Sequence, residues 1–218
     1  MNTHASRAGL VRNSRILRRS DEIIDAAARV FAERGYHGAS TQDIADVLGM
    51  RQASLYYYFP SKEAALEEVC ARGTDGFVEA AEAIVESAGT PLDKLTRLIA
   101  AHLAPIESKR DYVKVFINER RYLPDASRRR IGRMSRRIER CFEHVILAGI
   151  ADGSIARSVD ARLAMLAVLG MCNAVINWRA GDQATDMSRI AAGFAALVAN
   201  GLVAGGRGRS AARRGRGP

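Results

Sequence analysis

The sequence predicts an all-α protein in which a short N-terminal helix-turn-helix module precedes a larger helical region. Apolar residues recur at helical spacing along the chain, and beyond residue 75 no stretch alternates as a half-buried strand does. Breaks at Gly35, Gly49, Gly89-Thr90-Pro91, Pro105, Pro124 and Gly153 divide those runs into helices. Residues 40–59, STQDIADVLGMRQASLYYYF, read as a short helix, a glycine turn and a second short helix with three consecutive tyrosines.

Residues 20–34, SDEIIDAAARVFAER, put Ile23, Ile24, Ala27, Val30 and Phe31 on one helical face, and Gly35 closes the run. Ser40 suits the next N-cap: its hydroxyl accepts from free amides of the first turn, and Asp43 lies near the positive helix end. Ile44, Val47 and Leu48 then share a face, which predicts a short helix packed through all three. Gly49 stops it where the chain needs φ > 0. The next helix, from about Gln52 to Phe59, buries Leu55 and Phe59 and points Gln52, Ala53, Ser54, Tyr56 and Tyr57 elsewhere. Small and hydrogen-bonding side chains at the start of such a helix suit base edges in a major groove. After Phe59, Ser61 can cap a fourth helix with Lys62 and Glu63 in its first turn.

The string DEIIDAAARVFAERGYHGASTQDIADVLGMRQASLYYYFPSKEAALEEV closely resembles the N-terminal domain of TetR-family transcriptional regulators. Ala26, Ala27, Phe31, Ala32, Gly35 and Tyr36 stand where that family's first-helix motif has them; Thr41, Ile44, Ala45 and Gly49 follow in the second helix. Leu55, Tyr56, Phe59, Lys62 and Glu63 complete the pattern, and the match covers about 50 of 218 residues. The resemblance implies that Gln42, Gln52 and Ala53 approach bases while Thr41, Tyr56, Tyr57 and Lys62 hold the DNA backbone. Ser40, Arg51 and Ser54 complete the expected DNA-binding set. It also implies a homodimer built on the last two helices, and a ligand that acts by shifting the fourth helix, about residues 61–72.

The organisation expected is a basic arm, disordered by composition, over 1–16, a helix-turn-helix domain over 17–77, a helical effector-binding and dimerisation domain over 78–204, and a basic disordered tail over 205–218. In the second domain the pattern predicts helices over 75–88, from Pro91 to Pro105, over 111–122 and over 125–150. Residues 160–178 are apolar nearly all round, which predicts burial on several sides. Ile190, Phe194, Leu197, Val198 and Leu202 give the last helix a single apolar stripe.

Cys70, Cys141 and Cys172 are widely separated, without metal-ligand spacing, and fit a reducing cytoplasm better than a disulfide scaffold. The N-terminus has arginines but no apolar core of a secretory signal, and the uncharged stretches 163–178 and 190–206 are short for a membrane span. The net charge of +9 is carried by the ends: Arg7, Arg12, Arg15, Arg18, Arg19, Arg207, Arg209, Arg213, Arg214 and Arg216 supply ten positive charges, leaving 9 − 10 = −1 for residues 20–206. Residues 20–68 hold four basic residues against nine carboxylates. Phosphate contact therefore falls to placed groups: Arg51, Lys62, hydroxyls, helix N-termini and the basic arm. The tail reads equally well as a solvated appendage or as a source of nonspecific DNA affinity.

Between Lys109 and Arg140 stand 12 Lys or Arg against four carboxylates. Arg129, Arg133, Arg136 and Arg140 recur at i, i+4, i+7 and i+11 and so share one helix face. Such a face can clamp phosphates, and an acyl-coenzyme A would place its apolar tail among the helices; a solvated charged face is the plainer alternative. His4, His37, His102 and His144 lack ligand-like partners at i+3 or i+4 and read as structural or surface groups. No phosphate loop, metal motif or contiguous nucleophile–base pattern is present, so no enzyme, metal or cofactor is expected. The sequence thus points to a cytoplasmic homodimeric repressor that binds an inverted-repeat operator in double-stranded DNA and is released by a small-molecule effector, with no membrane partner. The rival is an architectural DNA-binding protein without an effector, acting through its basic ends.

Overall fold

A computed structural model of the chain describes the backbone of residues 3–178 and 186–203, with side chains from Arg18 onward within those ranges. Helix α1 spans Thr3–Gly38 and is interrupted at Gly35, whose φ of 69° breaks the helical path. The basic segment 1–16, expected to be disordered, is helical from Thr3 on. That stretch contains Ala, Leu and several Arg, all good helix formers, and no proline, so nothing stops the helix before the core begins. The tail 205–218 and the side chains of Arg7, Arg12 and Arg15 lie outside the described residues.

Helices α2 (Thr41–Val47) and α3 (Gln52–Leu55) are joined through Gly49, whose φ of 60° supplies the left-handed turn expected there. The chain continues as a turn to Phe59, its amide bonded to Leu55 O, and α4 (Lys62–Arg72) starts behind a Ser61 cap. Then come α5 (Phe77–Glu86), α6 (Pro91–Leu103), the short α7 (Pro105–Ser108), α8 (Arg110–Glu119) and a 3-10 turn at 120–122. The long α9 (Asp125–Asp152), α10 (Ala161–Ala174) and α11 (Met187–Leu202) complete the order. Among the described residues there is no strand, only an isolated bridge between Ile155 and Val203.

Two apolar cores organise these helices. The first gathers Ile23, Ile24 and Phe31 of α1, Ile44 of α2, Leu55, Phe59, and Leu66 and Val69 of α4. Val115 of α8, Leu123 and Ile131 of α9 belong to the same core, so the division at residue 77 separates stretches of sequence but not their packing. The second core gathers Leu98, Ile99 and Leu103 of α6, Phe142 and Ile146 of α9, Val168 of α10 and Phe194 of α11. Each such fully buried side chain contributes ~1.5–3 kcal/mol over leaving it in water.

Four apolar positions depart from expectation. Val47 is 46% exposed, because α2 is only two turns long and closes its contact through Ile44 and Ala45. Leu163 and Leu166 of α10 and Leu197 of α11 are 66%, 49% and 66% exposed. Within one chain, α10 therefore buries the face carrying Met165, Val168 and Cys172 and leaves the opposite apolar face uncovered. Leu197 likewise stands off the stripe that Ile190 and Phe194 bury.

Candidate functional site

The helix-turn-helix is fixed from its caps inward. Ser40 Oγ accepts from the Asp43 amide at 3.1 Å, and Asp43 Oδ2 accepts from the Ser40 amide at 2.7 Å, a reciprocal capping box on α2. The Ser40 hydroxyl, which also donates to Asp43 Oδ2 at 2.7 Å, is the first cause that holds the Asp43 carboxyl below its ordinary pKa, followed by the Ser40 amide and the Arg34 guanidinium. Thr41 Oγ1 accepts from Gln52 Nε2 at 2.7 Å and lies 3.5 Å from the Tyr56 hydroxyl, so one threonine ties α2 to α3. Gln42 donates to Asp46 at 2.6 Å and remains on the exposed face.

Around this tie Ser40, Gln42, Arg51, Ala53, Ser54, Tyr56 and Tyr57 are all exposed, and Thr41 and Gln52 are half-buried. Tyr57 is 80% exposed and Tyr56 49%, while Tyr58 packs edge-on to Tyr57 and joins the first core. Nine of the ten expected DNA-binding residues thus fall on the α2–α3 unit. Lys62 is set differently. Its Nζ donates to the carbonyls of Tyr36 and Ala39 at 2.7 and 2.8 Å and lies 4.3 Å from the Tyr36 ring centroid. In this arrangement Lys62 braces the end of α1 against the start of α4 instead of pointing outward.

The structure also assembles groups that no local pattern announced. Tyr36 OH donates to Glu63 at 2.6 Å; burial, then this bond, push the Tyr36 phenol up to about 12. The same bond is the first cause that lowers the Glu63 carboxyl. The Tyr36 amide, freed by the break at Gly35, donates to Glu119 of α8 at 2.9 Å, and Tyr122 stacks on the Tyr36 ring at 5.5 Å. Tyr112 OH donates to Asp25 at 2.6 Å, and Arg130 pairs with Glu67. Glu119, Tyr122, Tyr112 and Arg130 lie 53 to 71 residues beyond Phe59, the end of the helix-turn-helix, which is why sequence spacing gives no sign of them.

On α9, Arg129, Arg133, Arg136 and Arg140 are exposed along one face and make no ion pair among the described residues. Their neighbours Arg128, Arg130 and Arg137 are instead paired with Asp125, Glu67 and Glu82. Arg136 joins Arg120, Arg121 and Arg128 around an open groove of about 430 Å³ that also contains Ser135 and Glu139. A separate, mainly apolar chamber of about 40 Å³ lies behind the end of α4, between Gly73, Phe77, Ile106, Phe116, Ile138 and Cys172. His102 lines it and is joined to Asn173 at 3.0 Å, a partner 71 residues away that sequence spacing does not reveal. Cys70 and Cys172 are buried thiols pushed up to about 12 by desolvation. Among the described residues no cluster of metal-ligating groups occurs and no helix is long and apolar enough to cross a membrane.

Residues 23–69 match the profile of bacterial regulatory proteins of the tetR family, and residues 88–202 match that of the tetracyclin repressor-like C-terminal domain. The HTH-type transcriptional repressor KstR2 of Mycolicibacterium smegmatis is 28% identical over 84% of this chain and 90% of its own. The solved ketosteroid transcriptional regulator KstR2 of Mycobacterium tuberculosis superposes with a TM-score of 0.80 at 25% identity, over 85% of this chain and 95% of that one. AibR, solved with isovaleryl coenzyme A and operator DNA, superposes at 0.74 and 26% identity over 82% and 97% of the two chains. FadR of Bacillus subtilis, solved with stearoyl-CoA, superposes at 0.66 and 26% identity over 83% and 98%.

Proposed function

Because the chain belongs to the TetR family of bacterial regulatory proteins, a family of DNA-binding transcriptional regulators and not of enzymes, we propose that it is a homodimeric, ligand-released repressor. The observation that carries this reading is the α2–α3 unit, whose exposed side chains are small or hydrogen-bonding and whose backbone is locked by the Ser40 box and the Lys62 brace. Gln42, Gln52 and Ala53 read bases in a major groove; Thr41, Ser40, Arg51, Ser54, Tyr56 and Tyr57 bind phosphates around them, and Lys62 holds the reader in position.

Homodimer formation is supported by the uncovered apolar face of α10 and α11, where Leu163, Leu166 and Leu197 find no cover in their own chain. A two-fold interface there sets two readers on an inverted repeat, with half-sites about 34–36 Å or a multiple apart. The effector is an acyl-coenzyme A: its acyl part enters the second core, and its phosphates meet the unpaired Arg129, Arg133, Arg136 and Arg140 face. Regulators similar in fold carry such thioesters, as AibR and FadR do. The protein acts in the cytoplasm, where its three buried thiols stay reduced.

The test begins with an operator selected from a random duplex pool by the purified protein. Gln52→Ala relaxes preference at one base position, at a cost of ~1–3 kcal/mol, while Tyr56→Phe weakens specific and scrambled duplexes alike. Unchanged base preference in Gln52→Ala removes that assignment. Arg133→Ala with Arg136→Ala leaves operator binding intact and abolishes release by acyl-coenzyme A thioesters; equal release by the free acids makes the arginine face a solvated surface. Sequence preference survives removal of residues 1–16 and 205–218; if that removal instead abolishes most of the DNA affinity, the architectural reading stands.

A further inference from the structure

We propose that the corner joining α8 to α9 makes a second contact with the DNA backbone, from the larger helical domain and through Arg120 and Arg121. The inference rests on the DNA-binding reading and adds a surface outside the helix-turn-helix. Residues 20–68 hold Arg29, Arg34, Arg51 and Lys62 as their cations, against nine carboxylates. Arg34 is paired with Asp43, and Lys62 is turned onto the Tyr36 and Ala39 carbonyls. Arg29 and Arg51 remain, facing a duplex that carries one negative charge for about every 1.7 Å of its axis. Cations from outside that stretch have to add to them, and the fold brings the α8–α9 corner alongside.

Tyr122 stacks on Tyr36 at 5.5 Å and meets the His37 ring edge-on at 4.4 Å. Ser40, which caps α2, follows His37 by three residues, a span of at most about 11 Å. Arg121 lies over the Tyr122 ring at 4.8 Å, and Arg130 of α9 pairs with Glu67 of α4. A helix in a major groove about 12 Å wide has a phosphate backbone on each flank, so the corner stands at the reader's shoulder beside one of them. Its guanidinium groups are exposed yet held. Arg120 lies 4.9 Å over Phe116 and 3.5 Å from the Ser135 hydroxyl, while Arg128 donates to the Arg121 carbonyl at 3.3 Å. Asp125 is paired with Arg128 and Glu119 accepts from the Tyr36 amide, so Arg120 and Arg121 have no carboxylate partner among the described residues. Both line the open groove, in whose wall Glu139 is the one carboxylate. A small-molecule site encloses most of its ligand; an open positive surface fits a row of phosphates instead.

The experiment measures affinity of the full-length protein for its selected operator and for a scrambled duplex, at about 50 and about 200 mM salt. Each phosphate contact contributes a slope of about −0.9, so losing one shrinks the ratio of affinities at the two salts about 3.5-fold. Arg121→Ala is expected to do this on both duplexes, and Arg120→Ala combined with Arg121→Ala to shrink the ratio about twelvefold. Arg157→Ala, which removes an exposed charge just beyond the far end of α9, leaves the ratio unchanged. Each variant is read at a temperature where its melt shows it folded. Weaker binding with an unchanged ratio means that Arg121 only braces Tyr122, and overturns the inference. Unchanged binding, an equal effect of Arg157→Ala, or inorganic pyrophosphate held by Arg120 and Arg121 without any effect of their loss on DNA overturns it too. Relaxed base preference in Gln52→Ala beside unchanged ratios in the arginine variants removes this inference alone. Shrunken ratios on scrambled DNA with no operator selected leave the backbone contact standing and remove the base-reading assignment.

Discussion

The reader end and the ligand core are held by contacts of opposite range. In the helix-turn-helix, Ser40 and Asp43 bond each other three residues apart, Gln52 reaches Thr41 across eleven and Lys62 reaches Ala39 across 23. Around the chamber, His102 meets Asn173 across 71 positions, and nearby Arg137 reaches Glu82 across 55. The α2–α3 unit itself is therefore set by one short stretch of chain, while the α1 helix behind it is tied to α8 through Tyr36–Glu119 and Asp25–Tyr112. The chamber exists only where α4, α5, α6, α8, α9 and α10 have all assembled. A ligand in such a chamber acts on the whole assembly, whereas the reader moves as a finished block. The seam between them is α8 with the start of α9, which completes the first core through Val115, Leu123 and Ile131 and also borders the second through Val113 and Ile138.

The largest effect that can break this comparison comes from emptying either core. Phe31 and Phe142 are 1% exposed, and Phe31→Ala or Phe142→Ala is expected to cost ~3–5 kcal/mol. Because α8 and α9 serve both cores, both variants lower the same melting transition. Calorimetry decides it: two separable transitions, each moved by only one variant, mean that the seam does not couple the regions.

The next effect belongs to the ligand core alone. The folded His102 has a lowered pKa, so between the unfolded value near 6.5 and the folded one the unfolded chain binds a proton that the native chain does not. Stability therefore falls as pH drops through that window, by up to ~1.4 kcal/mol per pH unit, and His102 contributes no slope above it. The carboxylates with lowered pKa, such as Asp43, Glu63 and Asp93, start from ordinary values of 4.5 or below and lose their contribution at more acid pH. Urea melts between pH 6.5 and 5 read the His102 slope, and His102→Phe flattens it. An unchanged slope in that variant places the titration elsewhere.

The same difference of range explains what the sequence disclosed. The Ser40 cap, the Gly49 turn, buried Leu55 and Phe59 and exposed Tyr56 and Tyr57 follow from spacings of a few residues, where periodicity and capping rules act. Family pattern singled out Lys62 and Gly35, but that Lys62 donates to the carbonyls of Tyr36 and Ala39 is set by how α4 packs on α1, across 26 and 23 residues, which no local rule specifies. The apolar run of α10 was legible as apolar, yet its uncovered face appears only once α9 has taken the other side. His102 and Asn173 were invisible because a side chain's partner across 71 residues is set by the packing of α6 on α10 and by no local rule. The four-arginine face of α9 was readable from its periodicity, whereas the pairing of intervening Arg130 and Arg137 with Glu67 and Glu82 was not.

The smallest effect sharpens the comparison most, because the two regions carry the same local device. Thr90 and Asp93 form a capping box on α6 that matches the Ser40–Asp43 box on α2: Thr90 Oγ1 accepts from the Asp93 amide at 3.2 Å, and Asp93 Oδ2 accepts from the Thr90 amide at 3.2 Å. Ser40→Ala and Thr90→Ala each remove one exposed cap, so each is expected to cost about 1 kcal/mol of stability. Their consequences for DNA diverge. Ser40 fixes the entry into α2, and α2 carries the Thr41 hydroxyl on which Gln52 and Tyr56 converge, so Ser40→Ala loosens the reader itself and weakens operator binding. Thr90 lies at the far end of α6 from His102, with neither first-core packing nor any reader contact, so Thr90→Ala leaves operator affinity unchanged. Paired melts and gel shifts on the two variants give the answer. Equal melts with unequal DNA affinity mean that the reader's local geometry governs binding; equal losses in both assays mean that global stability governs it, and the reader is then no more self-contained than the core.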